Sequence, residues 1–279
     1  MKWENRRTSG NVEDRRGSRT VGKAGGGIIG IILLMVGAYY GVDLSGVAQL
    51  MDGGTQTVQN APVQETQEEA QLKQFASVVL AETEDTWQEY FAQHGSQYIA
   101  PKLVLYRGST PTACGTGQSA MGPFYCPGDQ KVYLDLSFYD DMKNQLKAGG
   151  DFALAYVIAH EVGHHIQNLM GISKKTQAAQ QRASQAEANR ISVLVELQAD
   201  CFAGVWAHDV QNKNLLDVGD AEEAFNAAEA VGDDRLQEQA RGYAVPDSFT
   251  HGSSAQRLQW FRCGLNSGDP NQCNTFAAN

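Results

Sequence analysis

Apolar positions along this 279-residue chain follow two different periods, and one run follows none. The unperiodic run is "GGGIIGIILLMVGAYYGV", residues 25–42, which carries no charge. Its length is close to the roughly 17–25 residues that a helix needs to cross a bilayer, and it predicts a single transmembrane anchor. Residues 43–71 hold few apolar positions and many Gln, Thr and Glu; such a segment cannot bury a core and reads as a flexible tether. From Leu72 the helical period starts, with Leu72, Phe75, Val79 and Leu80 on one face. Period two takes over at "KLVLY" (102–106) and "KVYLDL" (131–136). In the second run Val132, Leu134 and Leu136 face one way, and Lys131, Tyr133 and Asp135 the other. The helical period returns from Asp151 and stops at Gly171, a residue suited to ending a helix. Further helical stretches are expected from Ser173 to about Val210, from about Asp220 to Arg241 and around residues 254–262. The pattern predicts an α+β, mainly helical protein. Its expected parts are a basic N-terminus (1–24), the anchor (25–42), the linker (43–71) and one folded domain (72–279).

Charge bears on where those parts sit. The net charge of −10 argues against a nucleic-acid partner, because such binding depends on neutralising phosphates. Yet seven of the 22 basic residues precede residue 24, just before the apolar run. By the positive-inside rule this places the N-terminus in the cytoplasm and the domain outside, on a single-pass inner-membrane protein with a periplasmic domain. The alternative is a cleaved signal peptide, since "SGVAQ" (45–49) resembles a small-residue cleavage site. A basic region of this length is long for a signal peptide, and either reading exports the domain. Cys114 with Cys126, and Cys263 with Cys273, bracket turn-rich loops, which suits local disulfides in an oxidising space. Spacing does not prove the pairing, because four cysteines allow three connectivities. Cys201 is left over in an apolar helical stretch and reads as a buried thiol acting as a small hydrophobe.

The chemistry concentrates in "HEVGHHIQ", residues 160–167. Residues four apart lie on one helix face, so His160 and His164 can direct two imidazoles at one zinc ion. Glu161 is turned beside such a metal, where it could take a proton from the metal-activated water. His165 is about 100° around the helix from His164 and reads as a packing or hydrogen-bonding residue. Catalytic zinc commonly has three protein ligands and an open position. Glu196, in "ISVLVELQAD", is the natural third ligand. Asp200, one turn on, can accept a hydrogen bond from a ligating imidazole, and such partners fix the tautomer. The bland reading of Glu196 and Asp200 is two solvated acids on a helix face. A donor for the tetrahedral oxyanion is also expected. "THGSSAQR" offers His251 for that role, with Arg257 in support; the bland reading of His251 is a surface turn histidine. Tyr243 and Tyr133 are weaker candidates.

HEVGH followed by ExxxD resembles the gluzincin group of zinc metallopeptidases. With "CGTGQSAMGPFYCPGDQKVYLDLSFYDDM", "ELQADCFAGVWA" and "HGSSAQR", the chain more closely resembles the bacterial putative neutral zinc metallopeptidase family from about Leu72 onward. The resemblance implies a zincin-like domain with a small β-sheet and an active-site helix, a single zinc cofactor, and protein or peptide substrates. In such folds a substrate commonly adds to an edge strand of the sheet. The strand at 131–136, with Tyr133 and Asp135, is the expected edge. The expected activity is a membrane-anchored zinc endopeptidase acting on extracytoplasmic proteins. The competing expectation is a non-catalytic envelope protein that keeps its metal for stability, with a chaperone-like or scaffolding role. Intramembrane proteolysis is disfavoured by Asp151, Asn168 and the charged residues of the motif.

Overall fold

The computed structural model describes residues 1–17, 63 and 65–277. Its mainly helical α+β architecture has a small sheet against a layer of helices, as the pattern predicts. In chain order the strands are β1 (Val12–Asp14), β2 (Lys102–Tyr106), β3 (Ser109–Thr112), β4 (Gly115–Gln118), β5 (Phe124–Cys126) and β6 (Lys131–Asp135). The helices are α1 (Gln67–Gln93), α2 (Phe138–Asn144), α3 (Asp151–Leu169), α4 (Ile172–Gln180), α5 (Gln185–Asn212), α6 (Asp220–Ala230), α7 (Asp233–Arg241) and α8 (Ser254–Ser267). The main sheet has the order β1-β2-β6-β5. β1 and β2, and β2 and β6, run parallel, while β5 runs antiparallel to β6.

Helix ends follow local chemistry. α1 starts at Gln67 rather than Leu72, because Thr66 and Glu69 form a capping box that satisfies two otherwise orphaned N–H groups. The stretch expected as one helix from Ser173 is two, and Ser184 caps the second through the Glu187 N–H. The acidic stretch from Asp220 is likewise divided, with Gly232 standing at the cap of α7. There a Cβ would overlap the Ser254 backbone.

Membrane topology needs correction. Among the described residues no helix is long and apolar enough to cross a membrane. The expected anchor at 25–42 and most of the expected linker lie outside the described residues. The N-terminal residues also do not form a separate basic arm. β1 adds to the sheet that carries β2. Arg6 pairs with Glu82 at 2.7 Å, and Arg7 with Glu84 at 3.1 Å and Asp85 at 2.7 Å. The Met1 ammonium reaches Asp151, Asp220 and Asp217 at 3.0–3.4 Å. The basic residues therefore answer acidic residues of the domain. An N-terminus inside and a domain outside, the expected single-pass inner-membrane arrangement, is overturned.

Two more expectations change. β6 is not an edge: its two sides are taken by β2 and β5. Tyr133 is fully buried and donates to Asp129 at 2.6 Å, while Asp135 accepts from the Gly108 N–H at 2.8 Å and from Ser119. Both hold loops in place. A disulfide joins Cys114 to Cys126, but Cys273 is joined to Cys201, leaving Cys263 as the free thiol. The reason is packing between α5 and α8. Gly204 and Gly264 let the two backbones touch, and a Cβ on Gly264 would overlap the Cys201 carbonyl oxygen. Gly264→Ala is therefore expected to destabilise the fold by about 3 kcal/mol, since the clash is with backbone that cannot step aside. Urea unfolding of the variant against wild type measures it.

Candidate metal centre

α3 and α5 cross where neither carries bulk. A Cβ on Gly163 would come within 2.9 Å of the Ala199 carbonyl oxygen, so only glycine permits this approach. The crossing sets the i, i+4 pair His160 and His164 of α3 against Glu196 and Asp200 of α5. One ligand atom from each of His160, His164 and Glu196 lies within 4.8 Å of the others. His160 Nε2 is 3.2 Å from one Glu196 oxygen, and His164 Nε2 is 3.4 Å from the other.

The opposite ring atoms are committed elsewhere. His160 Nδ1 donates to Asp200 at 2.8 Å, and His164 Nδ1 faces the Gln167 side-chain oxygen at 2.9 Å. With hydrogen on both Nδ1 atoms, the Nε2 atoms that face Glu196 are the ones left to meet a metal. Asp200 also accepts from the Tyr156 hydroxyl at 2.6 Å and from Arg257 at 2.8 and 3.0 Å. Asp200 and Arg257 are both buried, and their charges cancel. Arg257 is thus bonded behind the ligand set, where it supports Asp200.

Burial works against charge throughout, so the partners decide protonation. His160 is opposed by burial, but Asp200 and Glu196 outweigh this and lift its pKa to about 10. Burial likewise opposes the Glu196 carboxylate, and His164 and His160 prevail, holding it well below the usual range. Glu161 goes the other way: burial raises its carboxyl above the ordinary carboxylate range, against the pull of the two imidazoles. Two imidazole nitrogens converging on one carboxylate suit a cation, which would take the place of the protons that Glu196 otherwise draws onto the rings. Two nitrogens and a carboxylate oxygen are also a donor set that zinc accepts. The residues fit the metal.

A cavity of about 650 Å³ opens over this group, lined by Glu161, His251 and the β5 residues Phe124 and Tyr125, among others. His251 is half-exposed at its edge and bonds Asp233 at 3.2 Å through Nδ1. Asp233 escaped the sequence reading. Its other oxygen collects the backbone N–H groups of Thr250, His251 and Gly252 at 2.6–3.1 Å, so one carboxylate shapes the whole turn. The signal was the acidic start of a helix after Gly232. His165 points away from the ligands, bonded to the Tyr125 hydroxyl at 2.9 Å and the Ile99 carbonyl at 2.6 Å. It ties α3 to β5. Tyr243 is exposed and packs under Arg241.

Fold and site together bring two histidines and one carboxylate into an arrangement that could hold a metal ion. The chain belongs to the family described as "Putative neutral zinc metallopeptidase", whose model matches residues 1–276. It is 57% identical over 286 aligned residues to "Uncharacterized protein YpfJ" of Escherichia coli (strain K12), covering 99% of each chain. It is 43% identical over 192 residues to "Uncharacterized protein Rv2575" of Mycobacterium tuberculosis (strain ATCC 25618 / H37Rv), covering 65% of this chain and 64% of that one. No solved structure matches the chain.

Two outcomes follow from these bonds. Arg257→Met should cost about 3–5 kcal/mol, because it leaves a buried carboxylate uncompensated; chemical denaturation of the metal-free protein measures this. The His251–Asp233 pair sets a pH window. Burial opposes both charges, but the pairing depresses the Asp233 pKa below its ordinary 3.8 and lifts that of His251 above 6.5. Its contribution to stability is full between those two ordinary values. It is lost as pH falls through the depressed Asp233 value, and again as pH rises through the raised His251 value. The stability difference between wild type and His251→Gln, followed against pH without metal, should be greatest inside that window.

Proposed function

We propose that this protein is a zinc-dependent endopeptidase in which His160, His164 and Glu196 hold the metal, Glu161 is the general base and His251 the oxyanion donor. The observation that carries the reading is the position of Glu161. It is buried, lines the same cavity as the three ligand residues and follows His160 directly in sequence, but lies outside their set. Zinc, when bound, supplies a Lewis acid and lowers the pKa of a water in the open position. Glu161, with its carboxyl pushed up by burial, accepts the water proton and returns it to the departing amine. His251, charged and fixed by Asp233, offers its free ring N–H to the oxygen of the tetrahedral intermediate. Asp200 and Arg257 hold the His160 tautomer.

The substrate strand lies along β5 in place of β6. β5 pairs with β6 on one side, and Phe124 and Tyr125 line the cavity. An extended peptide can add its backbone to the other side of β5. His165, through Tyr125, keeps that strand at a set distance from α3.

Glu161→Gln should keep one zinc per chain while lowering cleavage of a peptide library by about 10²–10⁴-fold. Mass spectrometry of products and metal analysis of the same protein give both readings. Unchanged cleavage by the variant would sink the assignment. Wild-type protein that binds zinc yet cleaves nothing would favour the non-catalytic, metal-stabilised alternative.

A further inference from the structure

The two imidazoles are held in chemically different ways. His160 is fixed by a carboxylate, which accepts in any orientation; His164 is fixed by an amide, which has a donor end and an acceptor end. Something must therefore settle which end of Gln167 faces the ring. Its nitrogen donates to the Val195 carbonyl at 2.7 Å and to the Gln198 side-chain oxygen at 3.1 Å. Gln198 in turn donates its own nitrogen to the Cys273 carbonyl at 2.9 Å. A main-chain carbonyl only accepts, so Cys273 turns the Gln198 nitrogen toward itself and the Gln198 oxygen toward Gln167. Both hydrogens of the Gln167 nitrogen are then used, and only its oxygen remains to face His164 Nδ1. The ring must carry a hydrogen there, which leaves Nε2, the atom facing Glu196, as the one open to a metal.

Both glutamines are buried, at 0% and 5% exposure, so water cannot stand in for a missing partner. The far end of the chain is closed covalently. Cys273 is crosslinked to Cys201 on α5, the helix that also carries Gln198 and Glu196. Thr275 adds a hydrogen bond to the Leu194 carbonyl at 2.7 Å.

We propose that Gln167 and Gln198 are positioning residues that, oriented by the main-chain carbonyls of Val195 and Cys273, fix the metal-binding tautomer of His164. The Cys201–Cys273 crosslink, by holding that carbonyl on Gln198, sets the metal affinity of the site. The inference rests on the two-histidine, one-carboxylate metal site assigned above.

The test uses the full chain and zinc alone, with dissociation constants from competition against a chromophoric chelator. Methionine is close to glutamine in volume and keeps the packing. Gln167→Met should weaken zinc binding by about tenfold or more, the usual scale for partners of a ligating imidazole. Gln198→Met and the double variant Cys201→Ala/Cys273→Ala should act in the same direction by about three- to tenfold, less because Val195 keeps its hold on Gln167. Nitrogen-15 chemical shifts of His164 in the metal-free protein, taken at a pH high enough to leave the ring neutral, give the second reading. Wild type should show hydrogen on Nδ1, and the variants a mixture of tautomers, a change that loss of packing alone does not produce. Zinc constants within twofold of wild type and an unchanged tautomer in Gln167→Met would overturn the relay. The same result in the cysteine variant alone would overturn the role of the crosslink. If that variant does not fold, Gln198→Met decides the point. Wild-type protein that binds no zinc would instead bring down the metal assignment itself.

Discussion

One buried carboxylate governs the arrangement of the helices. Asp200 sits on α5 and binds Tyr156 and His160 of α3 and Arg257 of α8. A charge removed from water is tolerated only where partners surround it, so these three helices cannot shift independently. The proposed ligands His160 and His164 ride on the first, and Glu196 on the second. The third lies against the second through paired glycines. The proposed metal centre would thereby inherit its precision from the core instead of from loops, which suits a site whose geometry must hold within a fraction of an ångström.

The convergence of His160, His164 and Glu196 was legible because a helix converts a spacing of four into a shared face. Two such pairs, HExxH and ExxxD, then need only one crossing to meet. Gly163 inside the first motif marks where that crossing falls. Asp233 was not legible, since its role depends on a turn 18 residues downstream. Gln167 was visible but uninformative, because an amide acquires a direction only from groups brought in by tertiary structure.

Sheet order and disulfide pairing failed for a related reason. Alternation at 131–136 shows a strand but not its neighbours, and parallel pairing with β2 on one side and antiparallel pairing with β5 on the other makes it interior. For the cysteines, local spacing favours the nearest pair. The observed bond spans a separation of 72 residues, because contact between α5 and α8 brings Cys201 near a segment that sequence places far away. The apolar run at 25–42 shows how a local pattern can mislead about topology. It was read with the basic residues before it, whereas Arg6 and Arg7 have acidic partners on α1 that only tertiary structure brings to them.

The same N-terminal strap imposes an order of events during synthesis. Its anchoring partners are far down the chain: Lys2 bonds the Leu215 carbonyl at 2.7 Å, and the Met1 ammonium bonds Asp220, 219 residues away. Contacts of such long sequence separation form late, after the loop between them has been closed. At about 5–20 residues per second the ribosome takes on the order of ten seconds or more to deliver those partners. Met1 and Lys2 are therefore locked only after Leu215 and Asp220 have been made, whereas β1 can pair as soon as β2 has emerged; until it does, that side of β2 is an open pairing edge that the nascent chain must keep from other strands.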